Sequence, residues 1–451
     1  MGRSVFIEEV LEDRILKLFG ETKWASGVLI GQSTLQRDYI VHLSFTPPQD
    51  PEDSPDDSSD RKEAVNEFDE EWFVQHCCQL NSMLTGGLRI LGIFVFGPPE
   101  LRKKLQAKFR QTLYAIHKTI SNEVPLGKWE LGQNSNQVMV QVCSATKKTT
   151  CYAIDVSDAK ANMQPADLKY QSFISKWIPV RCPLAIEVNL MLQKKLGGKT
   201  SFTNLKNGLM PFLSKVANSL ATINGVIINN EQLLVSEKQA SKSKRTSSEK
   251  NQTKNVNLYL TESEFEPDIK ASTTRQVLLV GLLESRAHLH PKATIKEAID
   301  AIKTDIIRNL LARCRLVCED LDDTQDKETK EDEQDEFTRL ELPKRIFAPI
   351  RRGEASICDC VFKDENTNDV LNRILELTGI SVCEEDLVSD ENFADDGTLD
   401  ELVTGDKTPF ISNKNVEHDD NSIQRPSSYQ FFGVGALTAL MAAMYQWFFR
   451  E

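Results

Sequence analysis

Apolar positions recur along the chain with two periods, and the switch between them predicts its elements. Near-continuous apolar runs at Ala25–Gln32 and Tyr39–Phe45 predict a strand pair around a turn. In Glu70–Leu84, Phe73, His76, Cys77, Leu80 and Leu84 fall on one helical face. Gly86–Phe96 is apolar but too short to span a bilayer as a helix, and it predicts a buried strand. Pro98–Ile120 predicts an amphipathic helix with Leu101, Leu105, Phe109, Leu113 and Ile116 as its stripe and Lys/Arg opposite. Val138–Cys143 and Thr149–Val156 predict a hairpin about Thr146–Lys148. Trp177–Leu192 predicts a strand and Lys206–Thr222 a helix.

Beyond that point, Val256–Thr261 and Arg275–Leu283 predict strands. Thr294–Leu316 predicts a helix with Ile295, Ile299, Ile302, Ile306 and Leu310 inside. Arg345–Ile350 and Ile357–Phe362 predict two more strands, and Asp369–Leu377 a short helix closed by Gly379. The expected organisation is an α+β region over 1–235 and a Ser/Lys-rich linker or loop over 236–255. A second α+β region over 256–383 packs on the first, and an acidic stalk covers 384–428.

The most apolar stretch is Phe431–Phe449, FFGVGALTALMAAMYQWFF, without a charged residue. As a helix it would extend about 28 Å, close to the hydrocarbon thickness of a bilayer. Tyr445 and Trp447 stand at one end like an aromatic belt. The expectation is a transmembrane anchor marked by Phe431, Gly435, Ala439, Ala443, Trp447 and Phe449, with Gly435, Ala439 and Ala443 as a small-residue stripe. The remainder of the chain would then face the cytosol.

Charge refines this picture. The 451 residues carry 54 Lys+Arg and 67 Asp+Glu, a net charge of −13. Segments 50–71, 319–336 and 384–420 together hold 35 acidic and 6 basic residues, or −29, which leaves +16 on the rest. The chain thus reads as a basic body with acidic loops and an acidic stalk, drawn toward an anionic lipid bilayer or an acidic partner. Its acidic total argues against nucleic acid as a partner. Ten cysteines without a C-x-x-C pair argue for free thiols rather than a zinc ribbon or a disulfide scaffold.

Candidate chemistry is sparse. His288-Leu289-His290-Pro291 matches the start of a JAMM-type metalloprotease motif. The serine and aspartate offsets fall on Ala298 and Ala301, and Asp300 is one residue early. On a helix that shift turns the carboxylate by about 100° away from a metal. His76-Cys77-Cys78 lacks the facing geometry of a thiol nucleophile and its base. Cys314 with Cys318, and Cys358 with Cys360, are pairs without further ligands in the sequence. The expectation is no catalytic residue, no metal and no cofactor.

Several strings in order resemble one family: MGR at the start, ASGVLIGQ with Asp38-Tyr39, DEEW at 69–72, and GGLRILGIFVF. CSATKK at 143–148, PADLKYQS at 165–172, KNGL at 206–209 and LPKRIFAPI at 342–350 follow. With the apolar tail, the chain resembles the Odr-four-like (odorant-response-abnormal) family, departing mildly at Leu168 where the family pattern has an aromatic. The motif residues Gly27, Leu29, Gly31, Gln32, Trp72, Gly86, Gly87, Pro165, Asp167, Lys169, Tyr170 and Gln171 are candidates for core or interface.

The resemblance implies a degenerate MPN-like cytosolic body with a C-terminal transmembrane helix. It also implies a tail-anchored, single-pass protein of the endoplasmic reticulum membrane. The function implied is non-enzymatic: an adaptor that binds and localises the Ufm-type cysteine protease of ufmylation and supports trafficking of G-protein-coupled receptors as clients. The alternatives are a membrane-bound MPN-like metallo-isopeptidase using His288 and His290, or a receptor chaperone acting through its membrane helix.

Overall fold

The chain's first strands are short apolar segments on either side of a charged turn, and they set the pattern for a strongly curved sheet. The computed structural model describes residues 3–48, 68–131, 135–193, 201–235, 253–260, 273–325, 337–351 and 355–391. In chain order the first elements are β1 (Ser4–Ile7), α1 (Val10–Glu21), β2 (Ala25–Ser33), β3 (Arg37–Phe45), α2 (Glu70–Met83), β4 (Arg89–Gly97) and α3 (Leu101–Glu123). Next come β5 (Asn136–Cys143), β6 (Thr149–Asp155), β7 (Gln164–Pro165) and β8 (Asp167–Tyr170). Then follow β9 (Ile178–Gln193), α4 (Ser201–Asn218), β10 (Leu220–Ile223), β11 (Lys254–Tyr259), β12 (Thr273–Leu289) and α5 (Ile295–Gln325). The last are β13 (Phe337–Glu341), β14 (Lys344–Pro349), β15 (Ser356–Val361) and α6 (Thr367–Thr378). Residues Met1–Asp395 form one compact unit.

The first sheet runs β7-β6-β5-β4-β2-β3-β1-β8. Its two edge strands, β7 and β8, are separated in the chain by Ala166 alone. That single-residue connection forces the edges together, so the sheet curls into a nearly closed eight-stranded barrel, which leaves little exposed edge. The backbone shows the join: Ala166 N–H donates to the Cys151 carbonyl at 3.0 Å, and Asp167 N–H donates to the Arg3 carbonyl at 3.1 Å. Pairing is mixed, with β4 parallel to β5 across the α3 crossover and β1 parallel to both β3 and β8.

Both faces of the strands β2 to β5 are buried, so they read as continuous apolar runs rather than alternating ones. Leu29, Leu43, Phe94 and Val140 pack with α1 on one face. Val28, Ile30, Ile93 and Val95 pack on the other with α2, α3, the β14–β15 hairpin and α6. The predicted stripe of α3 is its buried face, from Leu101 to Ile116. Asp69 caps α2, accepting from Trp72 N–H at 3.0 Å, and Gly379 ends α6 in the left-handed region at φ 66°.

A second sheet, β10-β11-β9-β12-β13, is built on the long antiparallel pair β9–β12, in register from Leu289↔Ile178 to Thr273↔Gln193. At the strand rise this pair is roughly 50 Å long. The helices α4 and α5 cover it and form the largest core, which includes Leu213, Val216, Leu279, Ile302 and Ile306. A Thr294–Glu297 capping box starts α5, with Thr294 N–H donating to Glu297 at 2.7 Å and Glu297 N–H donating back at 3.2 Å.

Two sets of expectations are corrected here. The described residues do not make a degenerate MPN-like body with a transmembrane helix; they make a mixed α+β fold of a nearly closed barrel joined to a second, helix-covered sheet. The tail-anchored, single-pass reading at the endoplasmic reticulum membrane is withdrawn as well. No helix among the described residues is long and apolar enough to cross a membrane. Even α5, the longest, is interrupted by Lys296, Glu297, Asp300, Lys303, Asp305 and Arg308. Phe431, Gly435, Ala439, Ala443, Trp447 and Phe449, on which that reading rested, lie outside the described residues. The functions built on it fall with it: localising a protease at that membrane, membrane-bound isopeptidase action, and chaperoning through a membrane helix. The linker at 236–255 and the acidic stalk also fall mostly outside the described residues.

The start of the chain is held by charge. The Arg3 guanidinium forks onto the Asp38 carboxylate, with Nη2 to Oδ1 at 2.8 Å, and Asp38 is fully buried where β3 pairs with β1. Arg3→Ala is expected to lower the unfolding free energy by about 3 kcal/mol, because it strands a buried carboxylate. The check is a urea denaturation midpoint, and Asp38→Asn in the same background should recover part of the loss.

Candidate functional site

Gln32, Gly86, Gly87 and the His288–His290 string, all singled out from the sequence, converge on the seam between the two sheets. The backbone of Gly86 pairs with β12: its N–H donates to the Arg286 carbonyl at 2.8 Å, and it accepts from His288 N–H at 3.2 Å. A Cβ on Gly86 would stand 2.6 Å from the Ala301 carbonyl and 2.8 Å from the Ala287 methyl, so only glycine lets α5 and β12 approach this closely. Gly87 has φ +80°, the left-handed region, and turns the chain from the seam into β4. Gln32, at the end of β2, accepts from His290 N–H at 2.9 Å through Oε1. Its Nε2 lies 3.5 Å from the Gly87 and His288 carbonyls. Gln32, Gly86, Gly87 and the His-x-His-Pro string, far apart in sequence, are therefore one junction.

The two histidines serve that junction. His288 is half-buried, and desolvation, with Arg286 adding to it, pushes its imidazole down to about 4. The His290 ring stands 5.7 Å from the Tyr39 ring, and its Nδ1 accepts from Lys292 N–H at 3.1 Å. Ala298 and Ala301 are buried in α5, and burial raises the Asp300 carboxyl. Among the described residues no three His, Cys, Asp or Glu side chains gather in a way that could hold a metal ion.

The other candidates land in separate places. Gly27, Leu29 and Gly31 lie inside β2, and a Cβ on Gly31 would collide with the Tyr39 carbonyl at 1.9 Å. Trp72 donates its indole N–H to the Pro47 carbonyl at 2.9 Å. Pro165, Asp167, Lys169 and Gln171 are exposed along β7–β8, and Tyr170 is half-buried there. His76 donates from Nε2 to the Leu377 carbonyl at 2.8 Å, so it caps α6 rather than activating a thiol. Cys77 is buried and its thiol is raised well above the usual range, while Cys78 is raised to about 11, chiefly by burial. Cys314 and Cys360 are raised to about 12 for the same reason, and Cys358 packs its sulfur 3.3 Å from the Met83 carbonyl. All ten cysteines are free.

Beside the seam lies an ionic network that sequence reasoning missed. Asp305 of α5 receives the Arg345 guanidinium of β14 in a two-pronged contact, at 2.7 and 2.9 Å. The same carboxylate accepts from Ser285 Oγ at 2.8 Å and Arg286 N–H at 3.2 Å. Glu391 inserts from the chain beyond α6, accepting from Arg313 and from Glu284 N–H at 2.7 Å, and from Arg345 N–H at 2.9 Å. Arg308 caps the chain leading into β4, donating to the Leu84 and Thr85 carbonyls at 2.9 Å and to Leu88 at 3.2 Å. Asp305, Glu284 and Glu391 balance Arg308, Arg313 and Arg345, and all six are buried. Burial would lower the Arg345 guanidinium, but Asp305 beside it holds it well above its ordinary value. Burial raises the Glu284 carboxyl against the pull of Arg181 and Arg286.

A faint signal for this network exists in the sequence. Asp305, Arg308, Asn309 and Arg313 follow helical spacing and read as a solvated face. Yet Ile307, Leu311 and Cys314 lie among them, so α5 is apolar almost all round, the mark of a helix enclosed on every side.

Fold and site together define a mixed α+β protein in which a backbone junction and a buried ionic network join two sheets. A family model described as "ODR4-like: Odorant response abnormal 4-like" matches residues 27–389. The chain belongs to the ODR4-like family. It is 30% identical to "Protein odr-4 homolog" of Homo sapiens over 396 residues, covering 86% of this chain and 85% of that one. The corresponding protein of Gallus gallus is 32% identical, with 86% of each chain covered. "Odorant response abnormal protein 4" of Caenorhabditis elegans is 25% identical over 312 residues, covering 68% of this chain and 62% of that one. Among solved structures, "Crystal structure of UfSP from C.elegans" aligns at 8% identity and a TM-score of 0.41, covering 84% of this chain and 57% of that one. That score is below the level of a shared fold.

Two predictions follow from the geometry. Asp305→Asn should destabilise the fold by about 3–5 kcal/mol, because it leaves the Arg345 charge enclosed without its counter-ion; the readout is the denaturation midpoint of the full chain. The second concerns acid. His42 donates from Nε2 to the Thr378 carbonyl at 2.8 Å, and burial pushes it, like His288, to about 4, against 6.5 in an unfolded chain. The unfolded chain thus binds protons first. Stability is full above about pH 6.5 and falls as pH drops toward 4, by roughly 3 kcal/mol for each histidine. Urea midpoints between pH 7.5 and 4.5 measure it, and His42→Gln should flatten the slope.

Proposed function

We propose that this ODR4-like chain is a non-catalytic binding scaffold. Its protein partner is a cysteine protease of the type that processes a ubiquitin-fold modifier. The observation that carries the scaffold reading is how the chain's most reactive-looking groups are engaged. His42 and His76 donate to the last carbonyls of α6, His290 Nδ1 accepts from Lys292 N–H, and Asp305 and Glu391 face arginines. Side chains bound in this way stiffen a surface for recognition rather than move protons. The protease is supported by the family resemblance read in the sequence strings. Binding between two such proteins needs a fitted surface on the body.

The test is direct. The full chain and a purified protease of that type, mixed at micromolar concentration, should elute together in gel filtration. The full chain alone should release no modifier from a modifier–substrate fusion. Release by the chain alone would overturn the non-catalytic reading, and separate elution would overturn the partner.

A further inference from the structure

A groove of about 1400 Å³ runs between α2, α3, α5 and the β15–α6 connection. Its walls include Val74, Ala115, Leu311, Leu316, Phe362 and Leu377, an apolar lining within one channel. Its rim is acidic. Glu70 and Glu71 stand on the first turn of α2, Glu319 on α5, and Asp364 just after β15. None of these four carboxylates has an ion-pair partner among the described residues. The arginine heads at the groove are already matched: Arg315 pairs with Glu123 at 2.8 Å, and Arg373 pairs with Asp359 at 2.7 Å and with Glu365. Arg308 is turned onto backbone carbonyls. The surplus charge of the groove is therefore negative.

Two of the acidic segments found in the sequence each have one end at this place. Segment 50–71 ends on the rim at Glu70 and Glu71, and segment 319–336 starts on it at Glu319. With the groove's arginines matched, Glu70, Glu71, Glu319 and Asp364 set a negative potential along one apolar channel. Size narrows the occupant. A helix about 10 Å across fills roughly 420 Å³ per turn, so the groove accommodates about three turns. An apolar stripe would meet the walls, and Lys or Arg beside it would meet the rim.

The geometry points to this groove as the docking site for a basic amphipathic helix of a partner protein. The assignment rests on the scaffold reading and adds to it where on the body a partner segment binds and what chemistry that segment carries. The chain's own basic stretch, 236–252, has charge of the right sign but lacks apolar side chains at helical spacing, so it does not match the walls.

The test uses the full chain and two synthetic helices of about 18 residues with the same leucine stripe, one flanked by lysine and the other by glutamate. Fluorescence anisotropy should show binding of the lysine helix, weakened by raising salt from about 0.05 to about 0.5 M, and none of the glutamate helix. Neutralising the rim with Glu70→Gln, Glu71→Gln, Glu319→Gln and Asp364→Asn should weaken it about tenfold. Neutralising Glu9, Glu12, Asp13 and Glu21, exposed on or beside α1, should leave it unchanged. Equal binding of both helices, or equal losses in the two variants, would overturn the assignment. A rise in affinity on deleting 236–252 would show the chain's own segment in the groove and overturn a partner as its occupant. Co-elution of the rim variant with the protease separates the two readings: if it persists while the lysine helix is lost, the scaffold stands and the groove serves a different partner.

Discussion

The Asp305 carboxylate and the Arg345 guanidinium meet where the long helix α5, the β9–β12 sheet and the β14–β15 hairpin come together, and the surrounding structure depends on that contact. Enclosing either charge alone would cost several kcal/mol, so each element is bound to the position that supplies the opposite sign. The requirement spreads outward. Arg313 needs Glu391, and Glu391 draws the chain beyond α6 back onto β12 and β14. Arg286 and Arg345 also lie over the Phe347 ring, at 4.0 and 4.8 Å, joining the ionic network to the hairpin's apolar side.

Charge pairing of this kind specifies register more than it adds raw stability. An apolar seam between barrel and sheet would tolerate sliding by a residue. Here Arg308 reaches three particular carbonyls, and the Gly86 backbone pairs with β12 under a steric limit that admits no side chain. Hydrogen-bond geometry and close approach together leave one alignment. His42 and His76 take part in a similar way at α6, each donating to a carbonyl of the helix's last turn, and the buried His42 makes the fold sensitive to acid.

Much of the fold was legible in the sequence because burial imposes period. The strands Ala25–Ser33, Arg37–Phe45, Asn136–Cys143 and Thr149–Asp155, and the helices at 70–83, 101–123 and 367–378, appear within a few residues of where their apolar patterns predict them. The strands β1, β7 and β8 are not legible in the sequence, since strands of two to four residues carry too little pattern. The β12 strand was read as ending at Leu283 but runs to Leu289. Glu284, Ser285 and Arg286 look like a loop until α5, β14 and the chain at 389–391 are there to pair with them.

What the sequence determined by itself was local: which segments alternate or repeat, where a glycine or a cap must end an element, and which family the strings resemble. It also contained the division between acidic segments and a basic body. Only the tertiary structure decided that Arg3 meets Asp38, that Gln32, Gly86 and His288 are one junction, and that Glu391 belongs with Arg313. It likewise decided that Glu70, Glu71 and Glu319, far apart in sequence, stand on the rim of a single apolar groove. Periodicity reports the environment of each side chain one element at a time. Charge partners and close approaches are relations between residues hundreds of positions apart, and those distances exist only once the chain has folded.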